Sequence, residues 1–282
     1  MYSYSILKKK ECFIVNKIRL ILNELFTYRG IIARIAKYED KATYQSHYLG
    51  LAWQILNPLI QIGIYYLVFG VGVNNGRSVG GVPFIAWMLV GISCWFFINN
   101  TTMSASNSIH QKIGMVSKMK FPVSILPAVT IVSQLTTFFI MLGIAILCLL
   151  LVGITPTLYW LQFIYYFGCL IALLYFCGLF NATMTVLVRD YHIMLQSLMR
   201  ILFYFSGATW VLENTFGSFA MRLLQLNPVF YIIDGFRDAF LSRAYFFEKG
   251  VMTLIFWCFV LFVAILGTHI HVKFRAKFVD FV

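Results

Sequence analysis

An all-α, polytopic membrane protein with six transmembrane helices is what this chain's residue order demands. The chain is 61% apolar and only 11% charged, whereas a soluble domain carries about 25% charged residues. No charged residue lies between Lys120 and Arg189. A span needs ~20 apolar residues, so that stretch holds two spans, with Gly153-Ile-Thr-Pro156-Thr as the turn. The tripeptide Leu-Asn-Pro occurs twice, at Leu56-Asn57-Pro58 and Leu226-Asn227-Pro228. Asn is a strong N-cap and Pro suits the first helical position, so each copy reads as a helix start. The apolar run after Pro58 continues to Val73, while the run after Pro228 stops at Asp234. One start signal thus serves a spanning helix and the other a segment that dips and returns.

Residues 1–47 form a cytoplasmic basic region. Apolar residues recur at helical spacing from Ile14 through Ile18, Ile21, Leu25, Tyr28, Ile32 and Ile35. The spacing predicts an amphipathic helix lying at the membrane surface, apolar face in lipid, or packed on a protein partner. Six spans follow at about 51–74, 82–106, 122–153, 160–187, 193–213 and 250–272, forming a domain over 48–272. The third exceeds one crossing, so it tilts, bends at Pro127 or starts in the interface. Residues 273–282 are a tail. Segments on the terminal side of the membrane hold sixteen Lys and Arg, those on the other side five. The positive-inside rule therefore places both termini in the cytoplasm. It also explains the net charge of +12 without nucleic acid, for which there is no motif.

The outer segment 214–249 is too apolar for a plain loop and is interrupted by Arg222, Asp234, Arg237 and Asp238. Two short helices dipping into the outer leaflet fit it. Irregular backbone at that depth is tolerated against protein or a water-filled cavity, which predicts an outer cavity or gate. On the opposite side, the basic segment 107–121 reads as a short helix lying flat, or as an ordinary loop.

No catalytic grouping stands out, and no GxxxxGK[ST] phosphate loop is present, so the chain should not hydrolyse ATP by that route. His269 and His271 read as interfacial histidines rather than a metal pair, and no metal site is expected. The six cysteines lack CxxC spacing and read as small buried hydrophobes. Arg189-Asp190, at the end of the fourth span, is either a helix-end ion pair or a contact for a cytoplasmic partner. Arg200, about two turns into span five, either snorkels or faces an aqueous cavity. The aromatic clusters Tyr65-Tyr66, Trp95-Phe96-Phe97 and Phe203-Tyr204-Phe205 are either core and lipid-facing residues or a slippery path for a glycan.

The order of these pieces resembles the type 2 ABC-exporter permeases, and within them the polysaccharide-export branch. The residues concerned are Tyr48-Leu-Gly50 with Trp53 and Asn57-Pro58; Phe121-Pro122 with Leu126-Pro127; Arg189-Asp190; and Asn227-Pro228 ahead of Gly235 and Arg237. The stretch from Gly80 through Gly91 to Asn99 looks most like the wall teichoic acid translocation permeases. The resemblance implies a homodimer working with two copies of a separate ABC ATPase, which would bind the ATP and Mg2+. It implies transfer of an undecaprenyl-diphosphate-linked anionic polymer from the inner to the outer leaflet of the bacterial plasma membrane. O-antigen and capsule permeases share most of the pattern. Under this resemblance Gln111, Lys112, Ile113, Met115, Lys118 and Lys120 would couple to the ATPase. Arg34, Lys37, Lys41, Trp53, Asn57 and Pro58 would shape the substrate entrance. Tyr65, Tyr66, Trp95, Phe96, Arg200 and Tyr204 would line the channel, and Asn227, Pro228, Gly235 and Arg237 would form the outer gate. A drug exporter of the same family and a membrane-embedded enzyme acting on lipid-linked glycan are the competing expectations.

Overall fold

The computed structural model describes residues 16–45, 48–73, 76–116, 122–211, 224–275 and 278. Helix α1 covers 16–27 and, after a turn at Tyr28, α2 covers Arg29–Gln45. The expected apolar stripe is there, but it faces protein. Ile21, Ile32 and Ala36 are buried, and the last two pack on Ile125 and Val129. Glu24 accepts from Ser124 and from Arg275 at 3.0 Å, so both described ends of the chain meet at one end of the bundle. The expectation that this stripe lies in lipid is therefore corrected: covalently linked helices bury it first. A second apolar set, including Phe26 at 72% exposure and Tyr38 at 69%, remains for the membrane surface.

Five helical stretches among the described residues are long and apolar enough to cross a bilayer: Trp53–Val73, Phe84–Lys112, Val123–Leu151, Leu158–Leu187 and Gly250–Phe274. The first comprises α3, Trp53–Tyr65, continued by a π-helical run, Tyr66–Val73. It starts a turn ahead of Asn57-Pro58, after a 3-10 turn at Gly50–Ala52. Asn57 is thus no cap and Pro58 lies inside the helix, correcting the first of the two expected start signals. Pro58 lacks the N–H that would bond the carbonyl of Gln54, a small loss so close to a helix start.

Helix α4, Phe84–Val116, has 33 residues and forms the axis of the molecule. Of its most apolar stretch 78% is buried, against 17% for the first span and 28% for the last. The outer helices face lipid with apolar side chains while α4 faces protein on all sides. Residues 107–116 continue this helix, so that part of the segment expected to lie flat is the end of a rod, and 117–121 lie outside the described residues. Helix α5, Leu126–Leu151, carries Pro127 in its first turn. Helix α6 covers Gln162–Leu187.

The expected fifth span is different. Helix α7, Tyr191–Phe205, has 15 residues, or about 22 Å at 1.5 Å per residue. That is short of the ~30 Å hydrocarbon core. It ends in a turn at Ser206 and Gly207, the latter at φ 70°, and irregular backbone continues to Val211. Helix α8, Pro228–Leu241, lies in the described part of the outer segment, and eleven of its residues are buried. It packs on α4, α6 and the last helix α9, Gly250–Phe274. Here the Asn-Pro signal holds: Asn227 Oδ1 accepts from Val229 N at 3.0 Å, with Pro228 at the first turn.

Candidate functional site

The first span, α4 and α7 enclose a side-open cleft of about 610 Å³. Five of the six side chains expected in a channel line it: Tyr65, Trp95, Phe96, Arg200 and Tyr204. Tyr66 does not. It turns toward the core, where its ring lies against Gly70; a Cβ on that glycine would sit 2.7 Å from the ring.

The cleft wall is a continuous aromatic surface. Tyr65 stacks on Phe69 with centroids 6.0 Å apart and meets Phe203 edge-on at 5.5 Å. Trp95 meets Phe203 at 5.4 Å, and Trp210 joins Phe69 to Tyr204 at 5.3 and 5.8 Å. Each such pair adds about 0.5–1.5 kcal/mol beyond simple burial, which holds the π-helical run and α7 to α4. Phe69 was missed from sequence, although it sits four residues from Tyr65 and stacks on it; Phe203 was expected only as part of the cluster Phe203-Tyr204-Phe205. Arg200 and Asn99 are the polar side chains of the cleft besides the tyrosine hydroxyls. Arg200 and Tyr204, four apart on α7, point the same way. Flat apolar rings beside one cation and one amide suit a ligand with sugar faces and an anionic group.

The residues expected at an outer gate build a clamp on the end of α7. Arg237 is 2% exposed. Its Nη1 donates to Gly207 O at 2.7 Å, Nη2 to Ala208 O at 2.8 Å and Nε to Trp87 O at 3.3 Å. The guanidinium also lies 3.4 Å from the centroid of the Trp87 ring. Gly91 makes the space: a Cβ there would sit 2.3 Å from Arg237 Nη2. Asn227 Nδ2 adds a bond to Phe205 O at 3.1 Å. Gly235 admits the Tyr166 ring, which a Cβ would meet at 2.1 Å. The last carbonyl of α7, Phe205 O, and those of Gly207 and Ala208 in the turn beyond it are thus held by α8 and its cap. Trp87 and Gly91, the α4 half of the clamp, carried no separate signal beyond a glycine in an apolar helix.

Beside the clamp, Lys249 bridges Asp234 and Asp238, and Arg243 lies 3.5 Å from Asp234. Burial pushes the Asp238 carboxyl up to about 6, Asp234 adds to this, and Lys249 opposes it. Burial works against the Lys249 charge, but the two carboxylates outweigh it and raise its pKa.

The other expected sites stay apart. Arg34, Lys37 and Lys41 are exposed on α2, Trp53 is half-buried, Asn57 is exposed and Pro58 buried. None of them lines the aromatic cleft. Gln111 and Lys112 lie near the end of α4, where Lys112 pairs with Glu39. Ile113 and Met115 continue that helix, while Lys118 and Lys120 fall outside the described residues. Arg189 and Asp190 are exposed in the turn between α6 and α7 and form no ion pair with each other. His269 is exposed, whereas His271 is buried with Nδ1 3.0 Å from Thr183 Oγ1. No group of metal-ligating side chains occurs among the described residues.

Residues 32–241 match the family model described as ABC-2 type transporter. The chain is 26% identical over 226 residues to the O-antigen export system permease protein RfbA of Myxococcus xanthus, covering 79% of this chain and 84% of that protein. It is 21% identical over 273 residues to the O-antigen export system permease protein RfbA of Klebsiella pneumoniae, covering 94% and 98%. The alignment leaves little of either protein outside it. With its apolar spanning helices and these relatives, the chain is a multi-pass protein of the bacterial inner membrane. The matched region contains the cleft and the clamp alike, and the chain belongs to the ABC-2 type transporter family.

Proposed function

We propose that this chain is the membrane subunit of an ATP-driven exporter that moves a lipid-linked polysaccharide from the inner to the outer leaflet. The likeness to O-antigen export permeases along nearly the whole chain carries the reading. The aromatic cleft supports it, because ring faces hold sugars by stacking yet let them slide. Among polymers, the relatives favour an O-antigen-type polysaccharide over wall teichoic acid, which rests on the stretch Gly80–Asn99 alone.

The working unit is two copies of this chain with two copies of a separate ABC ATPase, which holds ATP and Mg2+. The cleft opens sideways between the first span and α7. Both expose large apolar side chains beside it, including Ile64, Leu67, Val68, Ile201 and Phe205. A second copy facing this side would close the cleft into a path. Helix α4 links the parts: Lys112 near one end meets α2, Trp95 and Phe96 line the cleft, and Trp87 and Gly91 hold the clamp. A push at the Gln111–Lys112 end moves all three levels together.

Depletion of the chain followed by fractionation of lipid-linked polymers tests this. Build-up of a neutral polysaccharide on the cytoplasmic side is expected. A glycerol- or ribitol-phosphate polymer would move the assignment to teichoic acid. Drug sensitivity with no polymer build-up would refute polymer export.

A further inference from the structure

A second cavity, of about 570 Å³, lies at the end of the bundle where the chain ends meet, between α2, α4, α5 and the start of α7. Its lining is unlike the cleft. Ser104, Asn107 and Gln111 face it from α4, and Gln134 and Thr137 from α5. Among the described residues none of these five side chains hydrogen-bonds to the protein. Ser133 and Thr130, also in the lining, bond only within their own helix. Gln111 is exposed and the other four are half-buried, so their amides and hydroxyls are open to bond whatever occupies the cavity.

The charges facing the cavity decide what those contents are. Glu39 pairs with Lys112, and Asp40 accepts from Gln54 Nε2 at 2.8 Å. His192 Nδ1 lies 2.9 Å from Ser106 Oγ. With Lys112 matched by Glu39, Asp40 leaves one carboxylate in excess. A phosphate-rich chain would be repelled there. Sugar hydroxyls, which donate and accept, match amides, hydroxyls and a carboxylate acceptor.

We propose that this cavity binds uncharged, hydroxyl-rich sugar residues of the exported chain ahead of the aromatic cleft. The inference rests on the polysaccharide-export reading and narrows it to a neutral glycan. The cavity selects by hydrogen bonding, and the cleft conducts by stacking. Anionic character is left to the carrier end of the substrate, near Arg200.

Thiol protection tests it in the intact complex with its ATPase. Gln134→Cys and, on the facing helix, Ser104→Cys are placed in a background lacking the native cysteines, with Tyr204→Cys reporting on the cleft. Each is labelled by a membrane-impermeant maleimide in inside-out vesicles. The probes are lipid-linked polymer purified from cells depleted of this chain, the same carrier lipid without glycan, and soluble polyglycerol phosphate. The glycan-bearing lipid should slow labelling at positions 134 and 104 about tenfold, as for nine-tenths occupancy of a site, with no effect of the other two. Protection at 204 but not at 134 and 104 would overturn the proposal and leave the export reading standing. Equal protection by the bare carrier or by polyglycerol phosphate would overturn the assignment to neutral sugar. Protection at none of the three would count against polymer export itself.

Discussion

Arg237 brings a charge into a packed helical bundle, and the fold offsets its desolvation with three carbonyls and an indole face. Lysine cannot reproduce this planar fork. Arg237→Lys should cost about 3 kcal/mol, the scale for breaking a buried charge network, read as a lower thermal midpoint of the purified protein. Gly235→Ala should cost about 1–3 kcal/mol by overpacking against Tyr166, and Tyr166→Ala should recover part of it. Lys249→Met removes the charge opposing the upward shift of Asp238. A carboxyl with a raised folded pKa gives stability at low pH that is lost as pH rises through that value. The variant's deficit should therefore grow between about pH 5 and pH 8, and a deficit independent of pH would contradict this account. Most of these residues were visible as interruptions of apolar sequence. Their roles were not, because a guanidinium aimed at a gate and one aimed at a helix end look alike until its acceptors are known.

At the scale of elements, the paired Leu-Asn-Pro signals show what sequence can and cannot fix. Asn227-Pro228 follows a break and caps α8. Asn57-Pro58 is preceded by the 3-10 turn Gly50–Ala52, which starts α3 earlier and absorbs the proline. Asn227→Ser would keep the cap but lose the donor to Phe205 O, so a loss of about 1 kcal/mol is expected. Asn57→Ser should change stability little; a larger loss at position 57 than at 227 would reverse these roles. Spans one to four and the last were legible from apolar length alone. Over the expected fifth, α7 is 15 residues long and the backbone turns at Ser206 and Gly207, whose carbonyl Arg237 holds across 30 residues, a contact that no local pattern encodes.

For the whole molecule, five side chains expected under the family resemblance to line a channel fall on one cleft. The polar cavity was not legible, because its residues come one turn apart from separate helices. Side-open geometry predicts that a cysteine at Leu67 or Ile201 forms cross-links between copies of the chain, whereas one at Leu254 on the lipid face of α9 does not. The central claim is that this chain and a separate ATPase together carry lipid-linked polysaccharide across the membrane. Its most direct test is reconstitution of both subunits in proteoliposomes with lipid-linked polymer supplied in the ATPase-side leaflet. Polymer should reach the opposite leaflet only with ATP, and Tyr65→Ala combined with Tyr204→Ala should slow it sharply. Transfer by the chain without its ATPase, or no transfer with both present and ATP being hydrolysed, would contradict the account.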